Sequence, residues 1–238
     1  MNNKVINNLF EFWSYIGLQN NSCKDFLLFK TVSDLESDWP KRVYAIADTS
    51  KSYAEIAKKY KTDNFPKIVT VHQPTKFLDA TKYQLSFTQT NMCLDLIDYK
   101  KDPFQSQNIY QIKTESEAFE FAKIASQAFN YKVMGTVVCN VMQNSKKAKM
   151  YIFEENKINL GCGIIFFDSN NIAGFHMIGT IPDGRGRGIG KSITQHLIKE
   201  ALNNSCSLCV LNASKMGESI YKNLGFTAVG TLQNYKIL

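Results

Sequence analysis

The chain has 238 residues, 44% of them hydrophobic, and a formal net charge of +7 at pH 7. That is enough apolar material for one large core or two modest ones of about 100 to 130 residues each. No run of about 18 apolar residues occurs, and the first residues, MNNKVINNLFEFW, lack the basic start, apolar stretch and small-residue cleavage site of a secretory leader. The expectation is a soluble, cytoplasmic protein with no membrane partner. The charge comes mostly from lysines spread along the chain, with a cluster only at Lys146, Lys147 and Lys149. Without aromatics interleaved on a basic stripe, this suits solubility or a small anionic ligand and not nucleic acid.

In the upstream half, NLFEFWSYIG reads as helix, RVYAIA as extended, SYAEIAKKY as helix, PKIVTVH as extended, TKFLDATKY as helix and QLSFTQTNMCLDLI as extended. This alternation predicts an α/β unit over residues 1–102. The polar stretch DYKKDPFQSQN, Asp98 to Asn108, reads as a linker. Beyond it, NIYQIK is a strand signal, and TESEAFEFAKIASQAF opens with Thr114 and Glu117 at capping-box spacing and places Phe121, Ile124, Ala125, Ala128 and Phe129 on one face. KMYIFEE, LGCGIIFFD and IAGFHMIGTI then form a predicted three-strand meander. The glycine-rich segment that follows leads into a helix with Ile189, Ile193, Leu197, Ile198, Ala201 and Leu202 as its apolar stripe. SLCVLNA is a strand, GESIYKNLGF a short helix ended by Gly225, and TAVGTLQNYKI a closing strand or hairpin. The fold class is therefore α/β, a mixed sheet with helices packed on it, over residues 108–238.

The six cysteines are scattered. Cys206 and Cys209 have C-x-x-C spacing but no second pair, so buried structural thiols are expected in place of a redox or zinc site. His72, His176 and His196 show no metal-ligand spacing, and G-x-S-x-G does not occur. Neither metal nor acyl-serine chemistry is indicated.

Three phosphate-binding signatures compete for the segment around residues 184–192. A P-loop needs four residues between its first glycine and G-K-[ST], whereas Gly186 supplies three and Gly184 five. A Rossmann fingerprint counted from Gly184 ends on Ile189, and counted from Gly186 it ends on Lys191. Arg185-Gly186-Arg187-Gly188-Ile189-Gly190 fits the third, R-x-x-G-x-G. Its glycines permit positive φ and close backbone approach, and the helix beginning near Gly190 offers its positive end to an anion, with a pyrophosphate as the expected guest. Read without a ligand, the same hexapeptide is a glycine-rich turn.

The loop resembles the coenzyme A loop of the GCN5-related N-acetyltransferases (GNAT), and Ser214 to Phe226, SKMGESIYKNLGF, resembles that family's last helix, with Tyr221 in the tyrosine position and Gly225-Phe226 closing it. The resemblance covers Asn108 to Leu238. It implies a GNAT-like fold and direct transfer of an acetyl group from acetyl-CoA to a small-molecule or peptide amine, with Tyr221 assisting the leaving thiolate. It also implies that the backbone near Ile178, Gly179 and Thr180 holds the pantetheine arm, and that Arg185, Gly186, Arg187, Gly188, Ile189, Gly190 and Lys191 hold the pyrophosphate. Ser214 stands where many members carry an asparagine, and Asn212 is displaced by two. The family's strand glutamate is missing from GFHMIGT, which leaves His176 as the candidate base and Asp168 and Glu218 as weaker ones. Tyr221 also admits a purely packing role. LDATKYQLSFTQTNMCLDLI loosely resembles the same family's last helix and strand, as in tandem members whose first copy has decayed. Residues 1–102 are expected to dock Phe12, Trp13, Trp39 and Tyr44 against the acceptor side of the cleft. A non-catalytic acyl-CoA-binding or sensing module is the alternative.

Overall fold

A computed structural model describes all residues except 62–63, 74, 98, 100–105 and 145. Most of the expected linker, Asp98 to Asn108, lies outside the described residues. The upstream half contains α1 (Asn2–Gln19), β1 (Cys23–Phe26), β2 (Phe29–Ser33), β3 (Lys41–Tyr44), α2 (Ser50–Lys59), β4 (Ile68–Val71) and β5 (Tyr83–Asp95). The downstream half contains β6 (Ile109–Gln111), α3 (Glu115–Phe129), α4 (Gly135–Gln143), β7 (Ala148–Glu155), β8 (Ile158–Phe167), β9 (Ala173–Thr180), α5 (Ile189–Asn203), β10 (Leu208–Ala213), α6 (Glu218–Leu224) and β11 (Thr227–Ile237).

The predicted signals held where they were local and periodic. Thr114 Oγ1 accepts the Glu117 N–H at 3.3 Å and Glu117 Oε2 accepts the Thr114 N–H at 2.9 Å, so α3 starts on its capping box. β7, β8 and β9 form the expected antiparallel meander. The helix expected over TKFLDATKY does not form. Asp79 instead accepts the N–H and O–H of Thr81 on its side chain and the N–H groups of Lys82 and Tyr83 on its carbonyl, which fixes a turn. The β1–β2 hairpin and α4 carry no strong signal: the hairpin turns at Leu27-Leu28 without Gly, Pro or Asn, and GTVVCNVMQ is short and rich in β-branched residues.

All eleven strands lie in one sheet, in the order β1-β2-β3-β4-β11-β5-β10-β9-β8-β7-β6. The order has an internal correspondence about the β11/β5 pair. On one side β3 and β4 are parallel with α2 between them in sequence; on the other β9 and β10 are parallel with α5 between them. β11, from the downstream half, is antiparallel to both β4 and β5, and β5, from the upstream half, is antiparallel to both β11 and β10. Each half therefore places a strand between two strands of the other.

α1 lies across β5, β9 and β10. It buries Val5, Ile6, Leu9, Phe12, Trp13 and Ile16, a helical stripe worth about 1.5–3 kcal/mol per fully buried large side chain. Phe12 meets Phe166 of β8 on that face, while Phe175 of β9 meets Phe226 beside α6 on the other. α1 and α6 thus sit on opposite faces of the same strands.

Candidate active site

Beyond β9 the chain makes one 3₁₀ turn, Pro182–Gly184, and then the loop seen in the sequence. Gly186 and Gly188 both have φ +76°, and a Cβ at either would meet no atom within 4 Å. Backbone conformation, and not crowding by the protein, therefore requires glycine at these two positions. Gly188 caps α5 without any side-chain hydrogen bond, so the first N–H groups of the helix point outward without a side-chain partner. Ile189 is buried against β8, leaving only its backbone for a ligand, while Gly190 is uncrowded. Arg185 donates to the Ala128 carbonyl at 3.2 Å, Arg187 is ion-paired with Glu155, and Lys191 is exposed. The structure brings the predicted loop residues into one uncapped, cationic helix N-terminus.

Next to it β9 leaves β10. The two parallel strands are paired only from Cys209/Ala173 to Leu211/Phe175. Directly beyond, β9 carries a bulge against β8, with Met177 at φ +51°. The β10-facing backbone from His176 onward is thereby freed from the ladder. Gly179 is needed for packing, since a Cβ there would sit 2.8 Å from Ala128 Cβ and 2.9 Å from Phe129.

The gap opens into a cavity of about 430 Å³ whose walls come from both faces of the sheet. From the α1 face come Phe12, Trp13, Trp39 and His176; from the α6 face come Phe175, Ser214, Lys215 and Tyr221. Three of the four upstream aromatics named from the sequence line it; Tyr44 lies beneath, against Phe10 and Trp13. Ile178 also lines it, whereas Gly179, Thr180 and the loop lie further along.

Tyr221 faces the cavity, packs edge-on to Phe226 at 6.0 Å, and its hydroxyl has no hydrogen-bond partner among the described residues. Burial raises its pKa to about 12, so the phenol keeps its proton at neutral pH. His176 stacks on Phe12 at 4.1 Å and meets Asn8 Oδ1 at 3.1 Å through Nε2. Because Asn8 Nδ2 is committed to Asp168 Oδ2 and the Ile172 carbonyl, both at 3.1 Å, Asn8 Oδ1 is the acceptor and His176 carries its proton on Nε2. Burial pushes the imidazole down to about 3. Asp168 is occupied by Asn8 and the N–H groups of Asn170 and Ile172, and Glu218 by Lys222 and Thr90; neither lines the cavity. Ser214 Oγ accepts the Gly217 N–H at the start of α6. Asn212 is tied through the buried Asn91 to Asn2.

Sequence reasoning missed Arg42, Tyr131, Phe87 and Asn8. Arg42 sits in SDWPKRVYAIA, where the aromatics drew notice, and no periodicity marks a lone arginine on a short strand. Asn8 reads as one of several polar residues near the start of a helix. Only the fold shows that it is fully buried.

An uncapped helix end, parted parallel strands and an unpartnered phenol lie along one cleft, and the family model identifies the chain as an acyltransferase. The chain belongs to the GNAT acetyltransferase family: a profile described as "Acetyltransferase (GNAT) domain" matches residues 104–236. The whole chain is similar in fold to a GCN5-related N-acetyltransferase from Kribbella flavida (12% identity, TM-score 0.68, 95% of this chain and 94% of that one). It is also similar to a GNAT-family protein from Novosphingobium aromaticivorans (12% identity, TM-score 0.65, 95% of each chain). A conserved protein of unknown function from Staphylococcus epidermidis shares the architecture at 10% identity and TM-score 0.57, over 89% of this chain and 91% of that one. No curated protein matches in sequence. Among the described residues, no helix is long and apolar enough to cross a membrane, and no group of three His, Cys, Asp or Glu side chains is placed to hold a metal.

Proposed function

We propose that the protein transfers an acetyl group from acetyl-CoA to a primary amine by direct attack within the cleft between β9 and β10. The observation that carries this reading is the parting of these strands beyond Phe175 and Leu211, with the uncapped α5 N-terminus at one end and the free Tyr221 hydroxyl on the facing wall. The residues present suit the coenzyme: the N–H groups of Gly188 to Lys191 with Arg185, Arg187 and Lys191 for the pyrophosphate, and the freed backbone around Ile178 to Thr180 for the pantetheine arm. In this reading residues 108–238 supply the coenzyme wall, and residues 1–102, a degenerate copy of the same unit, supply the acceptor wall.

The bound thioester offers an activated carbonyl. The amine nitrogen bonds to that carbon, the C–S bond breaks with its electron pair going to sulfur, and the nitrogen gives up a proton to water. Tyr221 hydrogen-bonds the departing sulfur. Full proton transfer from a phenol at about 12 to a thiolate whose acid lies near 8.5 runs uphill, so the hydrogen bond itself is the contribution and water completes protonation. His176, neutral and at about 3, cannot deprotonate an ammonium; its Nδ1 lone pair can orient the amine. The neutral amine is favoured instead by its surroundings, since Arg42 and Lys215 line the cavity and, among the described residues, no Asp or Glu does.

That missing carboxylate is also what favours the second reading, an acyl-CoA sensor without turnover. A panel of primary amines assayed for thiol release from acetyl-CoA separates the two. Amine-dependent release supports the transferase; saturable acetyl-CoA binding with no release for any amine supports the sensor.

A further inference from the structure

One wall of the cavity holds a guanidinium that meets no anionic side chain among the described residues. Arg42 projects from β3 into the cavity and donates to the Lys41 carbonyl at 2.8 Å, with its guanidinium carbon 6.0 Å from the centre of the Phe87 ring. It joins no ion pair among the described residues, and burial depresses its pKa. Asp38, whose charge acts on the neighbouring Tyr131, is engaged by the Lys132 N–H at 3.1 Å. Desolvating a cation without a counter-charge costs stability, and an Arg fork has five N–H donors, most of them unused here.

We infer that the acceptor is an amine that also carries a carboxylate on an apolar or aromatic body, an amino-acid-like molecule whose carboxylate docks on Arg42. The identification of the amine as the reacting group rests on the acyl-transfer reading above; the recognition of the carboxylate does not. A single planar fork suits a planar monoanion held by two parallel hydrogen bonds. The other cation of the cavity, Lys215, stands beside Ser214 at the α6 side, so Arg42 is not part of a multi-cation cluster of the kind a phosphate dianion draws. The α1 side of the cavity is walled by the rings of Phe12, Trp13 and Trp39, with Tyr131 also in the lining. These accept an apolar or aromatic side chain, and among the described residues no lining carboxylate stands ready for a second ammonium. The volume, about 430 Å³, is in the range that small ligands fill.

The test uses the full-length protein and reads binding, so it is independent of turnover. N-acetylated aromatic and aliphatic amino acids, the products of such a reaction, are titrated calorimetrically beside their carboxamides, in which only the charge is removed. Each favoured acid is expected to bind about 10- to 100-fold tighter than its amide, the worth of a charged hydrogen-bonded pair. Arg42→Gln should bring acid and amide to parity while leaving amide affinity unchanged, which also reports an intact cavity. Arg42→Lys should fall between. The proposal is overturned if no acid in the panel binds better than its amide, or if the preference survives Arg42→Gln. Should Arg42→Gln fail to fold, the acid-to-amide ratio of the wild type and of Arg42→Lys decides alone. Thiol release from acetyl-CoA is measured separately: its absence for every amine, with the acid preference intact, removes the acyl-transfer reading and leaves the carboxylate site.

Discussion

Replacing Asn8 by leucine tests whether the α1-facing side of β9 is held by a single buried amide. The two side chains have nearly the same size, so the change removes hydrogen bonds without opening a cavity that water could refill. Three groups lose a partner: the His176 Nε2–H, the Ile172 carbonyl and one oxygen of Asp168. Asp168 keeps two N–H donors on its other oxygen, from Asn170 and Ile172, and the Ile172 carbonyl keeps the Asp168 N–H at 3.1 Å. The His176 Nε2–H and the second Asp168 oxygen are left unpaired at about 1–3 kcal/mol each, partly offset by about 1.5–3 kcal/mol from burying the leucine, which leaves a net loss of roughly 2 kcal/mol. Relief by backbone adjustment is limited, because β9 closes on Asn8 at Gly174, where a Cβ would collide with both Asn8 Oδ1 and His176 Nε2. For a chain of this length about 2–4 °C accompanies each kcal/mol, so Tm should fall by roughly 4–8 °C. Asn8→Asp, with unchanged shape, sets a second carboxylate against Asp168 and should be the more damaging of the two near neutral pH. The measurement is thermal and urea unfolding of the full chain. A loss below about 1 kcal/mol for Asn8→Leu would refute the reasoning.

Acetyl-CoA at about 100 times its Kd should stabilise the fold by about 2.7 kcal/mol, and Gly188→Glu, which adds a strained φ and an anion at the cradle, should abolish the shift; a normal shift in the variant sinks the loop assignment. Tyr221→Phe keeps the ring packing on Phe226 and should lower kcat with little change in coenzyme affinity, whereas an unchanged kcat would return Tyr221 to a packing role. Burial holds His176 neutral down to about 3 while the unfolded imidazole titrates near 6.5, so between those values the unfolded state binds the extra proton and stability falls as pH falls. His176→Gln should flatten that part of the stability profile, and an unchanged acid slope would show that the ring titrates normally. Deleting residues 1–107 removes β5 from between β10 and β11 and should yield insoluble chain; a soluble monomer of cooperative unfolding would contradict the sheet's continuity.

What could be read from the sequence was whatever a few consecutive residues decide. The capping box of α3, the alternation of β7 to β9 and the glycines of the loop are such features, and each maps to its place in the fold. The 75–83 segment went astray because one side chain, Asp79, outcompetes a helix that its apolar spacing favours. Arg42 and Asn8 were invisible for a different reason. Each matters through partners, or the lack of them, supplied by distant segments: Asn8 reaches Asp168, Ile172 and His176, and Arg42 is notable because it joins no ion pair among the described residues. The loop was legible and its cavity was not, since half of the cavity's wall belongs to residues that carry no motif.

The interleaving of β5 and β11 also bears on how the molecule is made. Tyr83 lies opposite Ile237 and Cys93 opposite Thr227, so the seam joining the two halves is a pairing between segments synthesised far apart in time. While a ribosome is still translating the downstream half, β4 and β5 are already outside the exit tunnel, each with a flank awaiting β11. Contacts of such long sequence separation fold slowly and leave strand edges open to other chains in the interval. Late arrival of β11 leaves the facing edges of β4 and β5 open longest, so temperature effects on yield should act through these two strands more than through the glycine-rich loop.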